Sequence, residues 1–357
     1  MGHIEEGIHT GLHVGAQMAV TVDGQTVAGL ALGTACPGVA MSRDTLLPWF
    51  SATKALTAAA VLQQWERGGL DLDDPVARHV PAFAAGGKER VSVRHLLTHT
   101  GGLRPTDDWV QEACAAALAD GWEPGRRAAY RPRGAFAVLA EVVRRLDGRS
   151  IEDYVSEELF EPLGMADSWL AMTPGRHAAY GERMGCMHAT SGGRPEVIPE
   201  LAGAEARARA QPSLSGVGPM DDLVRFYGML LGKGELDGVR VLSPQTTEAM
   251  CARHRVGLRD ETFGTVIDWG LGVMVNSWHY RKKPAPYGYG DHASYRAFGH
   301  GGSQSSMAFA DPEHALAVAL VFNGMAGEAA NHRRTQAVVT ALYEDLGLDR
   351  AKASGAV

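Results

Sequence analysis

The stretch "FSATKALTAAAVLQQW", Phe50 to Trp65, sets a serine and a lysine three residues apart at the start of an Ala/Leu-rich run. Only six of the 34 basic residues are lysines, and Lys54 is the first of them. At a helix N-terminus Ser51 and Lys54 lie on one face, within reach of each other. The positive helix end and partial burial both disfavour a protonated amine, so Lys54 is able to accept a proton. A serine becomes a nucleophile when such a base adjoins it. The competing reading makes Ser51 a helix cap and Lys54 a solvated lysine, and S-x-x-K alone does not separate the two.

Companion motifs shift the balance. "GGLDLDDPVARHVPAF", "VSVRHLLTHTGGL", "LFEPLGMADS", "DDLVRFYGMLL" and "FGHGGSQSSMAFADPE" follow "FSATK" in that order. With them the chain resembles the serine β-lactamase and penicillin-binding-protein superfamily over about residues 15 to 345. The branch it is most similar to holds class C β-lactamases, D-aminopeptidases, family VIII esterases and related acyltransferases. The resemblance implies that Ser51 is the nucleophile and Lys54 its proton partner.

The same resemblance places the second motif, Y-x-N, at "YRPRG". Tyr130 matches it, and a phenol beside a cationic lysine serves as base for Ser51 and acid for the leaving group. Otherwise Tyr130 is a core tyrosine. The third motif falls at His300, Gly301 and Gly302, where glycines let a substrate approach a strand edge closely. The backbone amides of Ser51 and Ser303 are then the expected oxyanion donors. His300 either orients or protonates substrate, or fills the place of the family's lysine. One departure stands out: the motif's asparagine, which holds substrate amide and catalytic lysine, is Pro132. Proline has no side-chain donor or acceptor and no N–H. Ester chemistry is expected to suffer less from this than β-lactam or peptide recognition.

These residues need a scaffold. "QMAVTVDGQTVAGLALG" alternates on both sides of Asp23-Gly24, which predicts a hairpin. Residues 51–67 read as a helix ended by Gly68-Gly69. From Leu70 to Glu205 the pattern is helical: Ser92 caps "VRHLLTH", "DDWVQEACAAALAD" and "GAFAVLAEVVRRL" are amphipathic, and Ser150 caps "IEDYVSEELF". After about residue 212 come a helix at "PMDDLVRFYGMLL", strand-like runs from "VIDWGLGVMVN" to "HALAVALVFNG", and a final helix near 329–346. The expected fold is α/β plus all-α: an antiparallel sheet built from both termini and flanked by helices, with an inserted helical region. The expected division is 1–70 with 212–357 as a discontinuous sheet domain, 71–211 as the insert, and the active site between them.

Composition bounds the function. At 357 residues, 45% hydrophobic and 21% charged, the chain is an ordinary globular protein. A dispersed net charge of −7 argues against nucleic acid or an anionic membrane as partner. No basic residue precedes Arg43, and Cys36, Cys114, Cys186 and Cys251 form no C-x-x-C pair. Structural thiols in a reducing, cytoplasmic setting are therefore expected. His95 and His99 lack the acid of H-E-x-x-H, and His9 with His13 shows no third ligand, so no metal is expected. No Gly-rich phosphate loop follows a strand, and no cofactor is expected. The segment Trp278 to Gly299, with Lys282, Lys283, Tyr280, Tyr287, Tyr289 and Tyr295, either walls the pocket or forms a surface loop outside it.

The function expected is a serine acyl-enzyme hydrolase or acyltransferase. Its substrate is an ester or amide of a small molecule, with an amine or alcohol as a further acyl acceptor. The alternatives are a β-lactamase or D-amino-acid peptidase and, in another class, a catalytically inactive ligand-binding homologue.

Overall fold

The computed structural model describes residues 1–107, 109–280 and 286–349. Lys282 and Lys283 lie outside the described residues. An eight-stranded sheet forms the centre, antiparallel at every pairing. Its strands in chain order are β1 (Gly15–Val22), β2 (Gln25–Cys36), β3 (Val39–Ala40), β4 (Asp268–Trp269), β5 (Met274–Val275), β6 (Phe298–Gly301), β7 (Ser306–Asp311) and β8 (Leu316–Phe322). Across the sheet they run β4-β5-β6-β7-β8-β1-β2-β3, so both ends of the chain build it. Asp23 and Gly24, both at positive φ, close the β1–β2 hairpin as the sequence requires.

The sheet is covered on both faces, and the pleat divides β8 between them. Leu316, Val318, Leu320 and Phe322 enter the core under the two terminal helices, Gly2–His9 and Glu328–Asp345. Ala317, Ala319 and Val321 enter the other core. That second face is rich in alanine, with Ala19, Ala308 and Ala310 beside them. Small side chains there let the helix Met220–Leu231 lie close against the strands.

Behind that face runs α1 (Lys54–Glu66), buried from Lys54 to Gln64. A helix packed on all sides has no polar face, which explains its Ala/Leu composition. It ends at Arg67, and Gly68 turns out of it at positive φ. Ser92 and Ser150 cap the helices that follow them, as their sequences predict.

Two expectations fail. The helix expected over residues 107–120 is confined to Val110–Ala115. Beyond it the amides of Leu118 and Ala119 donate to the Gly86 and Gly102 carbonyls, and these tertiary contacts override the helical pattern. The expected unpaired thiols are also corrected, because Cys36 and Cys186 form a disulfide with their Cα atoms 5.1 Å apart. They are separated by 150 residues and meet because the Cys186 amide donates to the Ala35 carbonyl at the end of β2. Cys114 and Cys251 are free. Among the described residues, no helix is long and apolar enough to cross a membrane.

Candidate active site

Ser51 sits in a single 3-10 turn, Phe50–Thr53, that runs directly into α1. Phe50 takes φ 47°, an uncommon conformation for a side chain of its size. The strain is held by Trp49, which is fully buried, with its amide on the Gly216 carbonyl at 2.7 Å and its indole on the Gly218 carbonyl at 3.0 Å. Ser51 is thereby fixed at the rim while its neighbours are locked.

Two side chains converge on its oxygen. Lys54 Nζ donates to Ser51 Oγ at 2.8 Å, and the Tyr130 hydroxyl donates to the same atom at 2.9 Å. Lys54 is wholly buried and also donates to the Ser213 carbonyl at 2.7 Å. That segment is clipped to the start of α1, since Thr57 donates to the Pro212 carbonyl and Thr53 Oγ1 accepts from the Gly216 amide. Pro132 is the first residue of the helix Pro132–Asp147, which fits its fixed φ and missing N–H.

Tyr130 is held from behind. Asp260 Oδ1 accepts from the amides of Tyr130, Thr262 and Phe263, and Asp260 is buried against Arg255 at 3.1 Å. Burial drives the Tyr130 phenol well above its ordinary pKa, partly offset by its hydrogen bond to Ser51. It therefore stays a phenol, and holds a proton to give.

The third-motif residues close the other side. Gly302 lies against the Trp49 carbonyl and Phe50, the residues before Ser51, and Ser306 Oγ donates to that same carbonyl at 2.6 Å. The strand end carrying Ser303 is thus clamped to the turn carrying Ser51. His300 is buried on β6, and desolvation first, then the Lys54 charge, lowers its pKa to about 3. Its Nδ1 lies 2.7 Å from the Gly301 carbonyl, so that nitrogen carries the proton of a neutral ring. Nε2 is buried with no partner among the described residues. His300 is therefore not a cation in the lysine's place. Gly301 meets the Tyr287 ring, whose hydroxyl donates to Glu328 Oε2 at 2.8 Å.

The structure thus brings Ser51, Lys54 and Tyr130 into direct contact and seats His300, Gly301, Gly302 and Ser303 beside them. Of the doubtful tyrosines, Tyr287 packs at the site, Tyr289 is buried in the core behind the sheet, and Tyr280 and Tyr295 are exposed. Sequence reasoning missed Ser213, Asp260, Trp269 and Glu328. Ser213 holds Lys54 through its carbonyl, a main-chain contact that leaves no signal in residue type. Trp269 stacks on Tyr130 with ring centres 5.7 Å apart, and His99 meets both rings edge-on. His99 is fully buried with its pKa well below the ordinary value, and no group of metal-ligating side chains occurs among the described residues.

Comparison with known proteins follows this geometry. The chain is 29% identical to the esterase/beta-lactamase LipL of Mycobacterium tuberculosis, over 87% of this chain and 77% of that protein. It is 30% identical to esterase EstB of Burkholderia gladioli, over 88% of both chains. Among solved structures, a penicillin-binding protein homologue from Caulobacter crescentus matches with TM-score 0.79 and 29% identity, over 94% of this chain and 95% of that one. The family model described as Beta-lactamase matches residues 2–342, and the chain belongs to that family.

Proposed function

We propose that the protein is an acyl-serine ester hydrolase and acyltransferase in which Ser51 carries the acyl group. The observation that carries this reading is the meeting of Lys54 Nζ and the Tyr130 hydroxyl on Ser51 Oγ, at 2.8 and 2.9 Å. Lys54 takes the Ser51 proton as Oγ attacks the ester carbonyl. The Ser51 and Ser303 amides receive the developing oxyanion. Tyr130, whose phenol is too weak an acid to serve as the base at neutral pH, passes its proton to the departing alcohol and regains one from Lys54. Water, an amine or an alcohol then attacks the acyl-enzyme along the reverse path. Pro132 supplies no group for a β-lactam or peptide amide, which supports esters as the substrates.

The site draws Ser51, Lys54 and His300 from residues 1–70 and 212–357, and Tyr130 from 71–211. This supports the two-region division with the site between. The Cys36–Cys186 disulfide favours an oxidising compartment over the cytoplasm expected from sequence.

The test is intact-mass analysis with a fluorophosphonate, beside turnover of an activated short-chain ester. One adduct on Ser51 is expected, and Ser51→Ala is expected to lose at least ~10³-fold in kcat/KM. Turnover undiminished by that substitution overturns the assignment.

A further inference from the structure

Charge at the third motif is inverted relative to what a carboxylate-binding site needs. His300 is neutral there, and Lys54 is committed to Ser51 and the Ser213 carbonyl. Arg131 is turned away, with Nη1 on the Leu103 carbonyl. A carboxylate stands there instead. Glu328 Oε1 accepts from Ser303 Oγ at 3.1 Å, and its Oε2 accepts from the Tyr287 hydroxyl at 2.8 Å. His332 on the same helix approaches Oε2 at 3.5 Å. The other carboxylates nearby are occupied by arginines, Asp260 by Arg255 and Glu261 by Arg127. Glu328 keeps 45% of its side chain open to solvent, and its charge acts on both the Tyr130 and Tyr287 phenols. It therefore stands, partly open to solvent, on the hydroxyl of Ser303, whose amide is the expected oxyanion donor beside Ser51.

Resting on the acyl-serine reading, we infer that Glu328 is a specificity residue that selects substrates bearing an ammonium group and rejects those bearing a carboxylate. Neutral Ser303 and Tyr287 hydroxyls orient the carboxylate, and His332 offsets its charge only when protonated. An incoming ammonium gains a charge-assisted contact there, whereas an incoming carboxylate meets like charge. The preferred substrate class is thus an ester with a primary ammonium on its acyl chain or its alcohol.

The experiment compares three matched esters, with ammonium, uncharged and carboxylate ends, each charge placed once on the acyl chain and once on the alcohol. The readout is the ratio of kcat/KM for the ammonium and carboxylate esters in wild type, Glu328→Gln and Tyr287→Phe. A partly exposed ion contact changes each member by up to roughly fivefold, so in wild type the ratio reaches roughly 5- to 25-fold in at least one placement. Glu328→Gln is expected to bring it to about one, and Tyr287→Phe, which keeps the charge, to leave it within about twofold. Fluorophosphonate labelling of Ser51 checks that each variant is folded. A wild-type ratio near one in both placements overturns the inference, as does a ratio that survives Glu328→Gln. Collapse of the ratio in Tyr287→Phe as well overturns it too, assigning the effect to the ring. If none of the esters is turned over, the acyl-serine reading itself falls, and this inference with it.

Discussion

Replacing Gly302 by alanine tests whether the strand end and the nucleophile turn form one unit. A Cβ at this position would overlap the Trp49 carbonyl oxygen and Ser306 Oγ and stand 3.0 Å from Phe50 Cβ. Ser306 can rotate, but the Trp49 carbonyl is main chain, fixed by the buried indole and by the Gly216 contact. Relief therefore needs the strand end to retreat from the turn by roughly 1 Å, given ordinary contact distances. In the proposed mechanism that retreat carries the Ser303 amide away from the oxygen of the carbonyl whose carbon Ser51 attacks. Misplacement by about 1 Å costs ~10²-fold, similar to losing one oxyanion donor. We expect kcat/KM for a short activated ester to fall about 10²-fold, with a stability loss of about 1–3 kcal/mol from overpacking. Gly301→Ala is the control: the nearest atoms to its Cβ would be those of the Tyr287 ring, a side chain that can turn aside, rather than main chain. It is expected to cost at least about tenfold less in kcat/KM. Steady-state kinetics and urea unfolding on both variants read this directly. A folded Gly302→Ala enzyme within about threefold of wild type would refute the coupling.

Two further outcomes follow from the same geometry. Lys54→Ala and Tyr130→Phe each remove one participant in the proposed shared proton transfer, so their combined loss in kcat/KM is expected to fall far short of the product of the single losses; fully multiplicative losses refute a shared step. Stability should fall in acid, because burial holds His13 at a pKa of about 4 and His300 at about 3, below the 6.5 of an unfolded histidine. A depressed histidine pKa favours the fold above pH 6.5, and that contribution is lost as the pH drops towards the folded values. Linkage gives about 2 kcal/mol from each by pH 5, and a urea midpoint unchanged between pH 7.5 and pH 5 would show the sign to be wrong.

The parts of the fold written in local pattern were legible. The Asp23-Gly24 turn, the apolar alternation on both sides of it, and the caps at Ser92 and Ser150 all act over a few residues. Motif order likewise pointed to Ser51, Lys54 and Tyr130, which the fold brings into contact. What escaped were contacts between distant segments that no local rule encodes. Cys36 and Cys186 meet across 150 residues, and Tyr287 reaches Glu328 across 41. The short helix Val110–Ala115 escaped for the opposite reason: its pattern is helical, and the Gly86 and Gly102 carbonyls stop it.

The proline in the second motif shows how chemistry outlasts a lost side chain. From sequence, Pro132 leaves Lys54 without one of its holding contacts. The fold supplies that contact from the main chain, through the Ser213 carbonyl at 2.7 Å. A carbonyl only accepts, so it holds Lys54 as a donor beside Ser51. Thr53 and Thr57 fasten the same segment to α1, one residue before and three residues after Lys54. The lysine and the carbonyl that holds it are thus fixed on one frame. The side-chain amide of an asparagine, which both donates and accepts, has no counterpart in the Pro132 ring. Retention of the Lys54–Ser51–Tyr130 contacts alongside loss of an amide-reading group is a physical basis for the proposed preference for esters, whose carbonyl needs only the proposed backbone oxyanion donors.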